Sequence, residues 1–457
     1  MKVIVCGAGQ VGFGIARHLA GEGNDVTVVD REASLMQRIT DTLDVRPILG
    51  HGGHPEVLEQ AGAADADVLI AVTASDEVNM IACQTARTLF KKPKTIARVR
   101  DRNYVKTKWR GLFNEDGIPI DVIISPEVEV ANAVMRRLAL PGAFDSCSFA
   151  GGSAEMIGVA IGEDCPVIDT PLNQLTGLFP DLQAIVVGLR RKNKVYVPDF
   201  DDTIQVGDEA FLVTASSDTE RTLKIFGHEE REARRIVMVG GGNIGYQVAK
   251  ELDTQAGRYS LSLIEANPER ARTVAEKLNR SIVLQGSGLS PELLAEAGIR
   301  QADLVLALTN DDQVNILTNM LALQEGCQRG LCLINDNSFQ NLAGDFGMEV
   351  SINPRAITVS SVLRHVRLGN VLQVHALSDE SAEMIEAEIQ EGAPIAGSKL
   401  RDLDLGNAMR VGTVYRKGKL ILPRGGTELK PGDRVVMFVT AEGIEQFESL
   451  LTSKEKK

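Results

Sequence analysis

A chain that carries the same segment twice is constrained before any residue chemistry is weighed, because both copies must solve one folding problem. Here Val3-Ile4-Val5-Cys6-Gly7-Ala8-Gly9-Gln10-Val11-Gly12 returns as Ile236-Val237-Met238-Val239-Gly240-Gly241-Gly242-Asn243-Ile244-Gly245, an offset of 233. Further on, Glu56 to Asn79 matches Glu292 to Asn315 at an offset of 236, so the copies differ by short loop insertions. A second, unrelated segment also repeats: Ser153-Ala154-Glu155-Met156 recurs as Ser381-Ala382-Glu383-Met384, and Val206-Gly207-Asp208 as Pro431-Gly432-Asp433. The order is A, B, A, B. Four domains are expected, over 1–142, 143–230, 231–370 and 371–457, with Glu229-Glu230-Arg231-Glu232 as a solvated linker between the halves.

Within each A segment, short runs apolar at every residue (Val3 to Val5, Val26 to Val29, Val68 to Val72) alternate with stretches apolar at helical spacing, such as Val11, Ile15 and Leu19. Strands covered on both faces need such runs, so each A segment is expected to be an α/β, doubly wound parallel sheet of the Rossmann-like kind. Each closes with one more apolar helix (Val130, Val134, Leu138, and Thr358, Val362, Val366), read either as ordinary core or as a subunit-pairing surface. The B segments read as small β-rich α+β domains: Val411 to Tyr415, Lys419 to Leu422 and Arg434 to Val439 are strand-like, and Arg416-Lys417-Gly418 supplies a hairpin turn.

Gly7-x-Gly9-x-x-Gly12 follows a strand and opens a helix, the context in which this spacing suits a dinucleotide. The first glycine permits a tight turn, the second lets a pyrophosphate approach the backbone, and the third lets the helix pack closely. Asp30 ends the second strand, where a carboxylate accepts hydrogen bonds from ribose hydroxyls and repels a 2′-phosphate, which favours NAD over NADP. Gly240, Gly242, Gly245 and Glu265 repeat the set. Thr73 and Thr309 end the fourth strands beside capping clusters (Ser75-Asp76; Asn310-Asp311-Asp312), and read equally as ligand-facing or as caps. Arg98 and Arg100 in the next strand suit a phosphate, or surface ion pairs; the second copy has Leu333 and Asn335 there, so the first site is expected to favour more phosphate charge. His51 and His54 lack a third ligand nearby and are read as a loop over ribose or adenine rather than a metal site. Trp109, the only tryptophan, is expected to pack.

A net charge of −13 repels phosphate backbones and anionic lipid, and no local basic patch is expected to reverse that, so nucleic acid is not a predicted partner. No apolar run approaches the roughly 18 residues of a membrane span, so direct insertion is not expected either. Six scattered cysteines without a CxxC pair suggest neither disulfides nor zinc. Neither B segment offers a substrate-site base, so no catalytic residue is proposed; an NAD-dependent oxidoreductase is the alternative. A redox-sensing transcription regulator would need a helix-turn-helix and a basic face, and neither is visible.

The tandem glycine motifs with their acids, the AVT and ALT strand ends followed by Asp-x-x-Asn (Asp76 to Asn79, Asp312 to Asn315), and the segment GHGGHPEVLEQAGA together resemble the regulatory proteins of Trk-type potassium uptake systems, built from tandem RCK (regulator of potassium conductance) modules. The resemblance runs through all four segments. It implies a cytoplasmic, peripheral subunit, forming a homotetrameric ring under an integral membrane potassium-translocating protein and binding NAD(H), or ATP and ADP, in its A segments. By that similarity the first site is formed by Gly7, Ala8, Gly9, Gln10, Val11, Gly12, Asp30, Thr73, Ala74 and Arg98. The second takes Gly240, Gly241, Gly242, Asn243, Ile244, Gly245, Glu265 and Thr309.

Overall fold

The computed structural model describes residues 1–105, 107–114, 117–255, 257–336, 339, 350–367, 370–377 and 381–452. Strands β1 (Lys2–Cys6), β2 (Asp25–Asp30), β3 (Arg46–Leu49), β4 (Val68–Ala71), β5 (Lys94–Arg98) and β6 (Val122–Ile124) form a parallel sheet in the order β3-β2-β1-β4-β5-β6. The doubly wound expectation holds: strand order reverses between β1 and β4, which opens a crevice beyond their carboxyl ends. A five-stranded antiparallel sheet follows, made of β7 (Ala143–Phe149), β8 (Ala154–Ala160), β9 (Ala184–Arg191), β10 (Lys194–Tyr196) and β11 (Glu209–Ala215), ordered β10-β9-β11-β8-β7. The parallel architecture then returns with β12 (Arg235–Val239), β13 (Ser260–Glu265), β14 (Ile282–Gln285), β15 (Leu304–Ala307), β16 (Gly330–Leu333) and β17 (Val350–Ile352), ordered β14-β13-β12-β15-β16-β17. The last sheet sets Ala382–Glu388, Arg434–Thr440, Met409–Arg416 and Lys419–Ile421 side by side, antiparallel.

Contacts gather the chain into two compact units. The first comprises Met1–Pro126, Arg355–Glu380 and Ile444–Thr452. Its core contains Val3, Val5, Ile15 and Leu19 from the first A segment together with Val359, Val362, Leu363 and Val366 from the helix Pro354–Val366. The closing helix of the second A segment therefore completes the core built on the first sheet, an arrangement helical periodicity alone does not reveal. Burying four aliphatic side chains at roughly 1.5–3 kcal/mol each makes this docking a large share of the unit's stability.

His365 near the end of that helix gives the unit a pH dependence. Arg364 Nη2 lies 3.2 Å from His365 Nε2, so the ring nitrogen must accept, and Lys94 Nζ donates to the His365 carbonyl at 2.9 Å. Burial, then the two neighbouring cations, pulls the imidazole from 6.5 down to about 4. The unfolded chain consequently binds a proton that the folded state refuses, and stability falls as pH drops from about 6.5 to about 4. Urea midpoints across that range are expected to decline, and His365→Gln to flatten the decline.

The second unit comprises Glu127–Pro354 and Ser381–Gly443. In it the two antiparallel sheets face one another: the Phe211 and Phe438 rings lie 5.8 Å apart, and a Cβ at Gly188 would run into the Phe438 ring. Each sheet carries the same internal brace. Asp208 takes a two-pronged ion pair from Arg191 and the Gln205 amide, and Asp433 takes one from Arg416 and the Lys430 amide. The repeated Gly-Asp turns are thus anchor points, with both aspartates buried. The hairpin between Met409–Arg416 and Lys419–Ile421 turns on Lys417 and Gly418, both at positive φ, as does its counterpart on Lys192 and Asn193.

Candidate functional site

Each parallel sheet presents the same constellation at its crevice. Gly7 leaves β1 at φ +113°, a conformation glycine alone adopts freely, and Gly240 leaves β12 at +105°. A Cβ on Gly12 would collide with the Gly7 carbonyl, and one on Gly245 with the Gly240 carbonyl. The chain's own geometry therefore demands these four glycines. Gly9 and Gly242 are different. Each precedes its helix in extended backbone (φ −64°, ψ −175°, and φ −60°, ψ −167°), and a Cβ on either would meet nothing within 4 Å. Nothing among the described residues explains a glycine there, twice.

The acids sit where the sequence places them. Asp30 Oδ2 accepts from the Ala8 amide at 2.6 Å and Oδ1 from Glu32 N at 3.0 Å; Glu265 accepts from Gly241 N at 2.6 Å and Asn267 N at 2.8 Å. Each carboxylate thus pins the glycine turn, and its unused lone pairs remain acceptors for hydroxyl donors.

The Asp-x-x-Asn pairs act as buckles between neighbouring strand ends. Asn79 Oδ1 accepts from Thr73 N (2.8 Å) and Thr73 Oγ1 (2.7 Å), while its Nδ2 donates to the carbonyls of Thr73 (3.3 Å) and Arg98 (2.9 Å). Asn315 repeats all four bonds with Thr309 and the Leu333 carbonyl. Asp76 accepts from the Arg100 and Asp101 amides, and Asp312 from those of Asn335 and Asp336. The matched bonds confirm that Leu333 and Asn335 stand where Arg98 and Arg100 stand in the first copy. Both threonine hydroxyls are engaged within their own turns. Arg100 reaches the Ala74 carbonyl and pairs with Asp76 (3.7 Å), so it braces the loop, while Arg98 lies half-buried at the end of β5.

His51 and His54 stack at 4.5 Å in the loop after β3, and His51 Nδ1 accepts the Gly53 amide. Burial, with Asp30 nearby, pushes the Cys6 thiol up to about 12, so it is no nucleophile at neutral pH; Cys332 is held at about 12 by burial and Asp312.

Three expectations need correction. Trp109 does not pack away: it is 49% exposed. Residues 91–110 carry nine lysines and arginines against Asp101 alone, a concentration the total charge conceals. Yet Lys91, Lys92 and Lys94 lie at the opposite end of β5 from Arg98 and Arg100, separated by about 13 Å of strand. The second site, moreover, is not stripped of cations, because Arg270 Nε donates to the Gly241 carbonyl at 2.6 Å. Arg270 sits in the helix after Glu265, so its proximity was open to inference. Arg355, which bonds Gln10 at the first site, carries no local signal.

Comparison with known proteins agrees with this construction. The TrkA-N domain family matches residues 3–126 and 236–354, and the TrkA-C domain family residues 156–227 and 384–452. The Trk system potassium uptake protein TrkA of Azorhizobium caulinodans is 51% identical over 450 residues, covering 98% of both chains. The crystal structure of the GsuK RCK domain superposes with a TM-score of 0.59 at 17% identity, covering 98% of this chain and 94% of that one. A GsuK channel solved bound to NAD gives 0.58 at 16% identity, over 98% and 78%. At those identities the likeness establishes the fold. Among the described residues no helix is long and apolar enough to cross a membrane.

Proposed function

The chain belongs to the TrkA family of Trk-system potassium uptake proteins, and from that membership we propose that it is a nucleotide-sensing subunit that gates potassium passage through a membrane-embedded partner. The family consists of regulators rather than enzymes, which removes the oxidoreductase alternative. What carries the nucleotide reading is the pair of glycines that the fold does not need: Gly9 and Gly242 leave open the space that a pyrophosphate at a helix N-terminus requires.

In the first site, Gly7 to Gly12 cradle the phosphates, Asp30 accepts from the adenosine ribose, Thr73 and Ala74 line the crevice, and Arg98 offsets phosphate charge. In the second, Gly240 to Gly245, Glu265 and Thr309 take the same parts. NAD(H) fits both acids, and ATP or ADP fits the same cradles. The four domains run 1–142, 143–230, 231–370 and 371–457, and four chains form a ring on the cytoplasmic face of the membrane, carried there by the partner.

Gating follows from differential affinity. A nucleotide shifts a two-state ring only as far as it prefers one shape, and a tenfold preference is worth about 1.4 kcal/mol per site. Several sites moving together multiply that ratio. The test is potassium flux in proteoliposomes holding a Trk-type membrane subunit and this chain, with NADH, ATP and ADP varied. Flux is expected to respond to nucleotide, and Gly9→Leu with Gly242→Leu to remove the response. A flux indifferent to all three nucleotides in the unaltered protein overturns the proposal.

A further inference from the structure

We propose that Arg355 is the residue that reads phosphate charge at the first nucleotide site, reaching it from the far half of the chain; the inference rests on the nucleotide reading above. Arg355 is the second residue of the helix Pro354–Val366, and its Nη1 donates to Gln10 Oε1 at 3.2 Å. Gln10 immediately follows the Gly9 cradle and begins the helix Gln10–Gly21. The guanidinium thus stands at the mouth of the first glycine turn.

Its position is fixed rather than incidental. Gly14, one turn along the same helix, leaves room for the approach: a Cβ there would lie 3.2 Å from both Arg355 Nε and Val359 Cγ2. The matching residue of the second copy is Gln247, so the space is specific to the first site. At the other end, Arg367 bonds His18 Nε2 at 3.1 Å and Glu22 at 2.5 Å, so the two helices run side by side in the same direction and are tied at both ends. The residue aligned with Arg355 in the first copy is Glu127, of opposite charge, so the device is not duplicated.

The chemistry sets what Arg355 distinguishes. One of its acceptors is the neutral amide oxygen of Gln10, whereas a phosphate oxygen adds the attraction of opposite full charges and suits the two-pronged geometry of a guanidinium. A diphosphate seated on the Gly9 turn is served by the backbone amides and the helix N-terminus. A further phosphate extends past that cradle toward the guanidinium. Arg355 therefore favours a nucleoside triphosphate over a diphosphate or a dinucleotide, and its helix is the element that feels the added charge.

The test uses the full chain with Gly242→Leu, which fills the second cradle and leaves the first site to be read alone by calorimetry. Arg355→Gln is expected to weaken ATP at least tenfold and to change ADP and NAD less than threefold, with Arg355→Lys intermediate. Equal losses for ATP and ADP, or no loss for either, overturn the inference while leaving the nucleotide reading intact. If the Gly242→Leu parent binds no adenine nucleotide, the nucleotide reading fails and this inference falls with it. Because the lysine variant keeps the charge, a fold defect in the glutamine variant leaves the ATP-to-ADP ratio measurable; a lysine variant that loses the two ligands alike again overturns the inference.

Discussion

With Gly9 replaced by leucine, the protein is expected to lose one of the two nucleotide equivalents proposed for it, by at least a hundredfold in affinity, while its unliganded stability changes by about 1 kcal/mol or less. The two halves of this expectation have separate causes. Gly9 adopts an extended conformation open to any residue, and its Cβ direction leads into empty space, so the folded chain tolerates a side chain there. What remains is the modest loss of a good residue at the start of a helix, about 0.5–1 kcal/mol. In the proposed function the phosphates lie against the backbone in that same space, and a leucine would occupy it. Gly12→Ala provides the contrast: its Cβ strikes the Gly7 carbonyl, so the turn must move and stability falls by about 3 kcal/mol or more. Calorimetry with NADH, ATP and ADP, paired with urea unfolding, reads both quantities. Undiminished binding by Gly9→Leu would overturn the assignment of the phosphates to that turn. Adding Gly242→Leu is expected to abolish the second equivalent also.

The glycine turns were legible in the sequence because their cause is local. A tight turn, a close helix and a strand before them leave a spaced signature in adjacent residues, and the duplication doubled it. The acids were legible by position, at the end of β2 and β13, but half of their role was hidden. Asp30 and Glu265 hold the Ala8 and Gly241 amides in place as well as facing the crevice, and only backbone geometry reveals that. The closing helices show a different limit. Val362 and Val366 declare a buried helical face, yet periodicity says nothing about which sheet buries it, and the answer lies some 350 residues upstream among Val3, Ile15 and Leu19. Arg355 was invisible for the same reason, since its partner Gln10 is 345 positions away. The charged stretch 91–110 is the opposite case: its nine cations are adjacent in sequence, and a net value of −13 averages them away over the whole chain.

Asn79→Ala is expected to destabilise the first parallel-sheet domain by about 3–5 kcal/mol, although the residue lies in the motif that carries part of the family resemblance. Its side chain is fully buried and makes four hydrogen bonds, two accepted from Thr73 and two donated to the Thr73 and Arg98 carbonyls. Alanine leaves the Thr73 amide and those carbonyls without that partner in a site too enclosed for easy hydration, at about 1–3 kcal/mol for each group left unsatisfied. Asn79→Asp should rescue little, because a carboxylate accepts from Thr73 but donates to neither carbonyl. Trp109, the sole tryptophan, belongs to the same domain, so its fluorescence in urea reports unfolding of that domain together with the helix Pro354–Val366 packed into its core, and not of the second parallel sheet. Asn315→Ala should leave that fluorescence transition nearly in place and lower the far-UV transition of the rest of the chain. Nucleotide binding at the first site should weaken in Asn79→Ala only as its fold weakens, recovering wherever the domain remains folded. An Asn79→Ala protein with an unshifted tryptophan transition and lost binding would instead make the asparagine a direct ligand contact, because a buckle between strand ends cannot be removed without loosening the strands it joins.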